Sequence, residues 1–358
     1  MNLTQYTLPH IERLQPYIPG TQPASGLTVA RLHQNEHPYP PSPFVLQALQ
    51  DLGSELIRCY PHSQGGELRE ALGAHYGVSA EQVLCGNGSS ELIQLIYRAF
   101  IGLGGKAVIP YPTFALYDNA AAAWQSEVVR VAARPDFTID TEELAAAACD
   151  ARAIFLVNPG APTGLLLSAE QVERLARSTS ALVIIDEAYM DFADSDQSVI
   201  RLIHELPNLL VLRTFSKAYA LAGARVGCVF GGRALIRGLE KIKGVYPLNA
   251  LSQRLAIAAL ADQPHMRRGA EEIRQTRASF SLALRAAGWA VLPSQGNFVL
   301  CTPPPQAVNA ATLAERLEQN GIYVRHFRAD RLEDKLRISI GTSEQMEHML
   351  VVTSRLLA

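Results

Sequence analysis

From residue 83 onward the chain alternates short apolar runs, rich in branched side chains, with segments long enough for helices. Each run stops at glycine, proline or polar residues. Such runs occur at 83–85, 107–110, 153–157, 181–185 and 209–212. Hydrophobicity that is continuous rather than alternating means that both faces of a strand are covered, the pattern of an α/β fold with a mostly parallel sheet. Ligands of such sheets gather outside the carboxyl ends of the strands, so the residues that follow each run are the first candidates for function.

The first run passes into GNGSS at 86–90 and then a helix expected over 91–100. Gly88 permits close backbone approach, and Ser89 and Ser90 open a helix whose free N–H groups favour an anion; the same residues are also a common way to begin any helix. The second run leads to YPTF at 111–114, where Phe114 either stacks on a planar group or fills core. The third ends in NPGAPTG at 158–164, a tight path that presents the Asn158 amide or is a plain turn. The fourth delivers DEAY at 186–189, with Asp186 a strand-end carboxylate or a helix cap. After the fifth comes RTFSKAYALAGARVG at 213–227. Lysine occurs at 106, 217, 241, 243 and 335, and only Lys217 sits between an apolar strand and a small-residue segment with no acidic neighbour in sequence. A solvated loop lysine is the ordinary reading of such a position, but a desolvated one has a depressed pKa and a neutral amine that attacks carbonyls. Ser216 and Arg225 flank it as further anion anchors.

The net charge of −2, without a basic run, argues against nucleic acid as a partner. Five scattered cysteines form neither a disulfide framework nor a metal knuckle, so no metal is expected and a reducing cytoplasm is the expected compartment. MNLTQYTLPH has neither a basic n-region nor an apolar h-region, and no apolar run approaches membrane length. Helices are expected over 44–57 and, interrupted near 262–264, over 247–288; later strands over 289–292, 297–301, 322–324 and 336–340. The expected organisation is an arm over 1–40 that also contributes to a small domain, a large cofactor-binding domain over 41–250, and a smaller C-terminal α/β domain over 251–358.

A Schiff-base lysine, an anion cradle, an aromatic plate, an amide, a tyrosine and a strand-end aspartate are the parts needed to hold pyridoxal 5'-phosphate. In order along the chain, LHQNEHPYPPSP (32–43), GNGSSE (86–91), YPTF, NPGAPTG, DEAY, RTFSKAYALAGARVG, NALSQ (249–253), QGNFVL (295–300) and LRISIGT (336–342) resemble the fold-type-I aminotransferases, and within them the histidinol-phosphate aminotransferase family. The resemblance implies that Lys217 bonds the cofactor and shuttles a proton, Asp186 pairs with the pyridine nitrogen, and Asn158 and Tyr189 hold the ring oxygen. Phe114 would stack on the ring; Ser89, Ser90, Ser216 and Arg225 would bind the phosphate, with Tyr60 reaching it from the other subunit of a homodimer.

By the same resemblance Tyr17, Asn35, Glu36, Arg325 and Arg337 form the substrate end; Arg325 also reads as a surface arginine. The implied reaction moves the amino group of L-histidinol phosphate to 2-oxoglutarate in two half-reactions. An aromatic amino acid aminotransferase and an O-phosphothreonine decarboxylase are alternatives on the same fold. A non-catalytic cofactor-sensing regulator is remote, because the arm is too short and insufficiently basic to be a DNA-binding module, and a nicotinamide-dependent dehydrogenase would leave Lys217 without a role. Gly160-Ala161, Cys59 and Ala220 depart from the family pattern, and all three are expected to leave the cofactor contacts intact.

Overall fold

The computed structural model describes residues 6–16, 20–24 and 29–357. Twelve strands are formed among them: β1 (Ala30–Leu32), β2 (Val83–Gly86), β3 (Lys106–Tyr111), β4 (Glu127–Ala132), β5 (Ala153–Val157), β6 (Leu182–Asp186), β7 (Leu209–Thr214), β8 (Gly227–Gly231), β9 (Ala290–Val291), β10 (Phe298–Thr302), β11 (Ile322–His326) and β12 (Leu336–Ser339). Seven make one sheet in the order β2-β8-β7-β6-β5-β3-β4. Its strands β4, β3, β5, β6 and β7 run parallel, and β8 is antiparallel to both β7 and β2. β5, β6 and β7 are buried at every residue, as their unbroken apolar runs require. Because they are parallel, Tyr111, Val157, Asp186 and Thr214 all arrive at one edge of the sheet.

The second sheet has the order β1-β11-β12-β10-β9. β1 comes from the N-terminal arm and pairs parallel to β11, which brings residues 33–36 to the space between the two sheets' ligand-facing ends. Neither β1 nor β4 was among the expected strands. β4 lies at a sheet edge with most of its residues at least partly exposed, so EVVRVA lacks a continuous apolar run. The helix expected over 44–57 is two, Pro43–Gln50 and Ser54–Arg58, with Gly53 as the second one's N-cap. The long segment near 262 also divides, into Ala250–Ala261 and Gln263–Ala286, where the Asp262 carboxylate accepts from the His265 N–H at 3.2 Å and caps the second helix. No helix among the described residues is long and apolar enough to cross a membrane.

Candidate active site

A cavity of about 610 Å³ opens at the carboxyl edge of the large sheet and is closed on its far side by β11, β12 and the residues after β1. Its floor at one end is an anion cup. Gly88, at φ 84°, is the N-cap of the helix Ser89–Ile96 and gives it no side-chain cap, so Ser89 and Ser90 present an uncapped helix start on the cavity wall. The cup is compressed: a Cβ on Gly227 would lie 2.4 Å from the Ser89 nitrogen, and one on Gly88 2.4 Å from Nη2 of Arg225. Arg225 itself sits in the left-handed region at φ 54° and donates to Ser216 Oγ at 3.3 Å and to the Ala222 carbonyl at 3.1 Å. Thr214, which the motif reading did not single out, accepts from the Ser216 N–H at 3.1 Å and also lines the wall.

Asp186 ends β6 and is buried, with the Ala188 N–H donating to it at 3.1 Å. Burial pushes its carboxyl up to about 6, against the opposing pull of that N–H, of Tyr117 and of the Lys217 and Arg213 charges. Its neighbour Glu187 points the other way, into a buried network with Arg213 (3.2 Å), Ser198 (2.7 Å) and the Val199 N–H (2.7 Å). Adjacent positions on an extended chain face opposite sides, so one carboxylate anchors the fold while the other faces the cavity. Tyr117, one helical turn after Phe114 and beside Asp186, also escaped the sequence reading.

Lys217 reaches the cavity with its Nζ donating to the Gln34 carbonyl at 2.9 Å and standing 5.9 Å from the centre of the Tyr189 ring. Burial lowers its ammonium to about 8; Arg337 and Arg225 push the same way, and Glu36 and Asp186 oppose them. About a tenth is therefore a neutral amine at pH 7, far more than for an ordinary lysine, and the neutral form is what attack on a carbonyl requires. Phe114 and Tyr189 line the same cavity.

On the far wall Arg325 and Arg337 are directly opposite one another in the register of β11 and β12. Arg337 donates to the His33 carbonyl at 2.7 Å, and both guanidinium groups lie over Phe327, at 5.6 and 5.7 Å. Like charges facing across two strands repel, a cost that a bound anion removes. Asn35 and Glu36 are on this wall too. Tyr17 lies outside the described residues. Tyr60 is 82% exposed, stacks on Tyr246 with ring centres 4.5 Å apart, and is not on the wall of its own chain's cavity.

One expectation fails. Asn158 is fully buried off the cavity wall: its amide donates to the Leu167 carbonyl at 2.9 Å and accepts the Leu167 N–H at 2.8 Å. The residue of that motif that faces the cavity is Ala161, with Pro162. The departure from the family's polar pair therefore does touch the cavity, and the turn 158–167 explains why: Asn158 is the staple that closes it.

Residues 28–352 match the family model for aminotransferase class I and II. The chain belongs to this family. It is 38% identical over 349 residues to histidinol-phosphate aminotransferase 1 of Trichormus variabilis, covering 98% of each chain, and 38% identical over 352 residues to that of Bordetella parapertussis, covering 97% of this chain and 98% of that one. Among solved structures, the histidinol-phosphate aminotransferase of Sinorhizobium meliloti, in complex with pyridoxal-5'-phosphate, matches with a TM-score of 0.90 at 28% identity, covering 98% of this chain and 96% of that one. Such an aminotransferase needs a carbonyl-reactive lysine, an anion cradle and a carboxylate around one cavity, and here Lys217, the cup and Asp186 meet in that way.

Proposed function

We propose that this aminotransferase uses pyridoxal 5'-phosphate to move the amino group of L-histidinol phosphate to 2-oxoglutarate. The observation that carries the donor is the facing pair Arg325 and Arg337, half-buried on aromatic faces at the end of the cavity away from the anion cup. The cup suits the cofactor phosphate and leaves the second cationic site for an anion on the substrate, which is a phosphate in histidinol phosphate and a carboxylate in 2-oxoglutarate.

When bound, the cofactor supplies the electron sink for charge developing at the substrate carbon. Asp186, as an anion, keeps the ring nitrogen protonated, since a buried carboxylate gains most from a cation brought beside it. Lys217 would hold the cofactor through its amine and, with that amine freed, would carry a proton between the substrate carbon and the cofactor. Tyr189 would donate to the ring oxygen, Phe114 would cover a ring face, and Ser89, Ser90, Ser216 and Arg225 would hold the phosphate. Glu36 acts on Lys217 in the opposite sense to Arg337 and offsets part of that arginine's effect on the amine.

The reading includes a cytoplasmic homodimer of chains organised as an arm over 1–40, a large domain over 41–250 and a small one over 251–358. What supports the dimer is the exposed apolar side chains Phe44, Leu46, Leu49, Ile57 and Tyr60, close together in sequence, with Val245 beside the Tyr246 on which Tyr60 stacks. The same surface would place Tyr60 against the partner's phosphate cup.

The deciding experiment is a donor panel read by cofactor absorbance in the first half-reaction. Histidinol phosphate is expected to convert the bound cofactor, and phenylalanine, tyrosine and O-phosphothreonine are not. A preference for the aromatic amino acids, or carbon dioxide release without an oxo-acid, overturns the donor. Retention of a borohydride-reducible linkage in Lys217→Ala overturns the chemistry.

A further inference from the structure

Tyr189 is held from behind. Its hydroxyl is 3.1 Å from Asn35 Nδ2; the other end of that amide, Oδ1, is 2.8 Å from Ser339 Oγ; and the Asn35 backbone N–H donates to the same Ser339 oxygen at 2.8 Å. Asn35 is itself in the left-handed region at φ 54°, which folds its backbone and side chain onto one partner, and its carbonyl accepts from the Asn297 amide at 3.0 Å. Asn35 and Ser339 are both buried to 1% exposure.

The proton count in this cluster has one solution. A backbone N–H can only donate, so Ser339 Oγ accepts from Asn35. The serine has one proton of its own, and among the described residues the acceptor within its reach is Asn35 Oδ1. Turning the amide over would put two donors on Ser339 and strand its proton in a buried site, which is costly. The Nδ2 end of Asn35 must therefore face Tyr189, and the tyrosine oxygen must accept there. Its own proton then points to a partner other than Asn35, and Tyr189 borders the cavity.

We propose that Ser339 is a positioning residue which, through Asn35, aims the Tyr189 hydroxyl proton at the ring oxygen of the cofactor. Ser339 lies on β12 two residues after Arg337, on the same face, whereas Tyr189 follows β6 of the large sheet, so the clamp joins the substrate-side sheet to the cofactor-side one. The device matters more here because the neighbouring strand end offers Ala161 to the cavity and keeps the Asn158 amide on Leu167. The inference rests on the cofactor reading given above.

The test is the pH titration of the coloured linkage between Lys217 and pyridoxal phosphate. A donor on the ring oxygen draws charge from it and weakens its hold on the proton that the linkage carries; losing the donor raises the titration midpoint. Ser339→Ala is expected to raise it by about one pH unit, the size of one modest hydrogen bond, and Ser339→Thr to restore it. Tyr189→Phe raises it at least as far, and Ser339→Ala adds nothing in that background. The charged groups around Lys217 are Arg337, Glu36, Arg225 and Asp186, and all are kept in these variants. Should Ser339→Ala not fold, Ser339→Cys, with a weak donor of similar size, carries the test with the same sign. An unchanged midpoint in the serine variant, or an equal shift with and without Tyr189, overturns the inference. A parent protein that takes up no borohydride-reducible cofactor overturns the proposed function itself.

Discussion

The two cationic ends of the cavity are built on different principles. The cup at Gly88–Ser90 and Arg225 is made largely of backbone, packed so closely that two glycines leave no space for a Cβ. The pair Arg325 and Arg337 is made of long side chains from two strands, facing each other in register and resting on Phe327. Backbone N–H groups held at a helix start lose little further freedom when an anion arrives, and a compact cup can retain what it holds. Two guanidinium groups on long side chains can shift as a ligand arrives and departs, which suits a group that enters and leaves every turnover.

The largest expected break in this contrast is Gly227→Ala. The added carbon would meet the Ser89 nitrogen and the Gly88 backbone, neither of which can rotate away, so β8 must part from the helix start. A destabilisation of about 3 kcal/mol is expected, seen as a lower urea midpoint, together with loss of cofactor on dialysis. Next come the crossed arginine variants. Arg337→Ala is expected to lower kcat/KM for the phosphorylated donor about 100-fold, with cofactor affinity nearly unchanged. Arg225→Ala is expected to weaken cofactor binding about 10-fold, with little change in donor KM at saturating cofactor. If either variant moved both constants equally, the two ends would not be separate sites.

Much of the large-sheet wall was legible in the sequence, because its strands are continuous apolar runs and its functional residues directly follow them: Ser89, Asp186, Tyr189, Ser216 and Lys217 all reach one cavity. Features set by pairing over long sequence distances were not. Arg325 faces Arg337 through a strand register, and Asn35 meets Ser339 across 304 residues, contacts that no local pattern encodes. β1 is three residues long, too short for its buried-exposed-buried alternation to mark it as a strand in the sequence. Asn158 misled for a related reason: a strand-end amide looks available until the chain returns at Leu167 and consumes it.

A separate effect concerns what the large-sheet wall costs before the cofactor arrives. Asp186 in the cofactor-free protein titrates near 6, above its ordinary range, because burial disfavours its charge. Its raised folded pKa means that the folded state holds the proton longer than the unfolded chain does. The resulting stability is fully present below the unfolded pKa of about 4 and is lost as pH rises through about 6. At pH 7 the carboxylate is therefore charged and costly, and Asp186→Asn is expected to stabilise the cofactor-free protein by about 2 kcal/mol. Urea unfolding should show that gain at pH 7 and its disappearance below about pH 4. The cofactor-bound form should gain nothing from the same change, because in the proposed arrangement a protonated ring nitrogen beside Asp186 would supply the missing countercharge. A gain that persisted with cofactor bound would mean that Asp186 does not face the ring, and would leave the cup and Lys217 to hold the cofactor on the large-sheet wall.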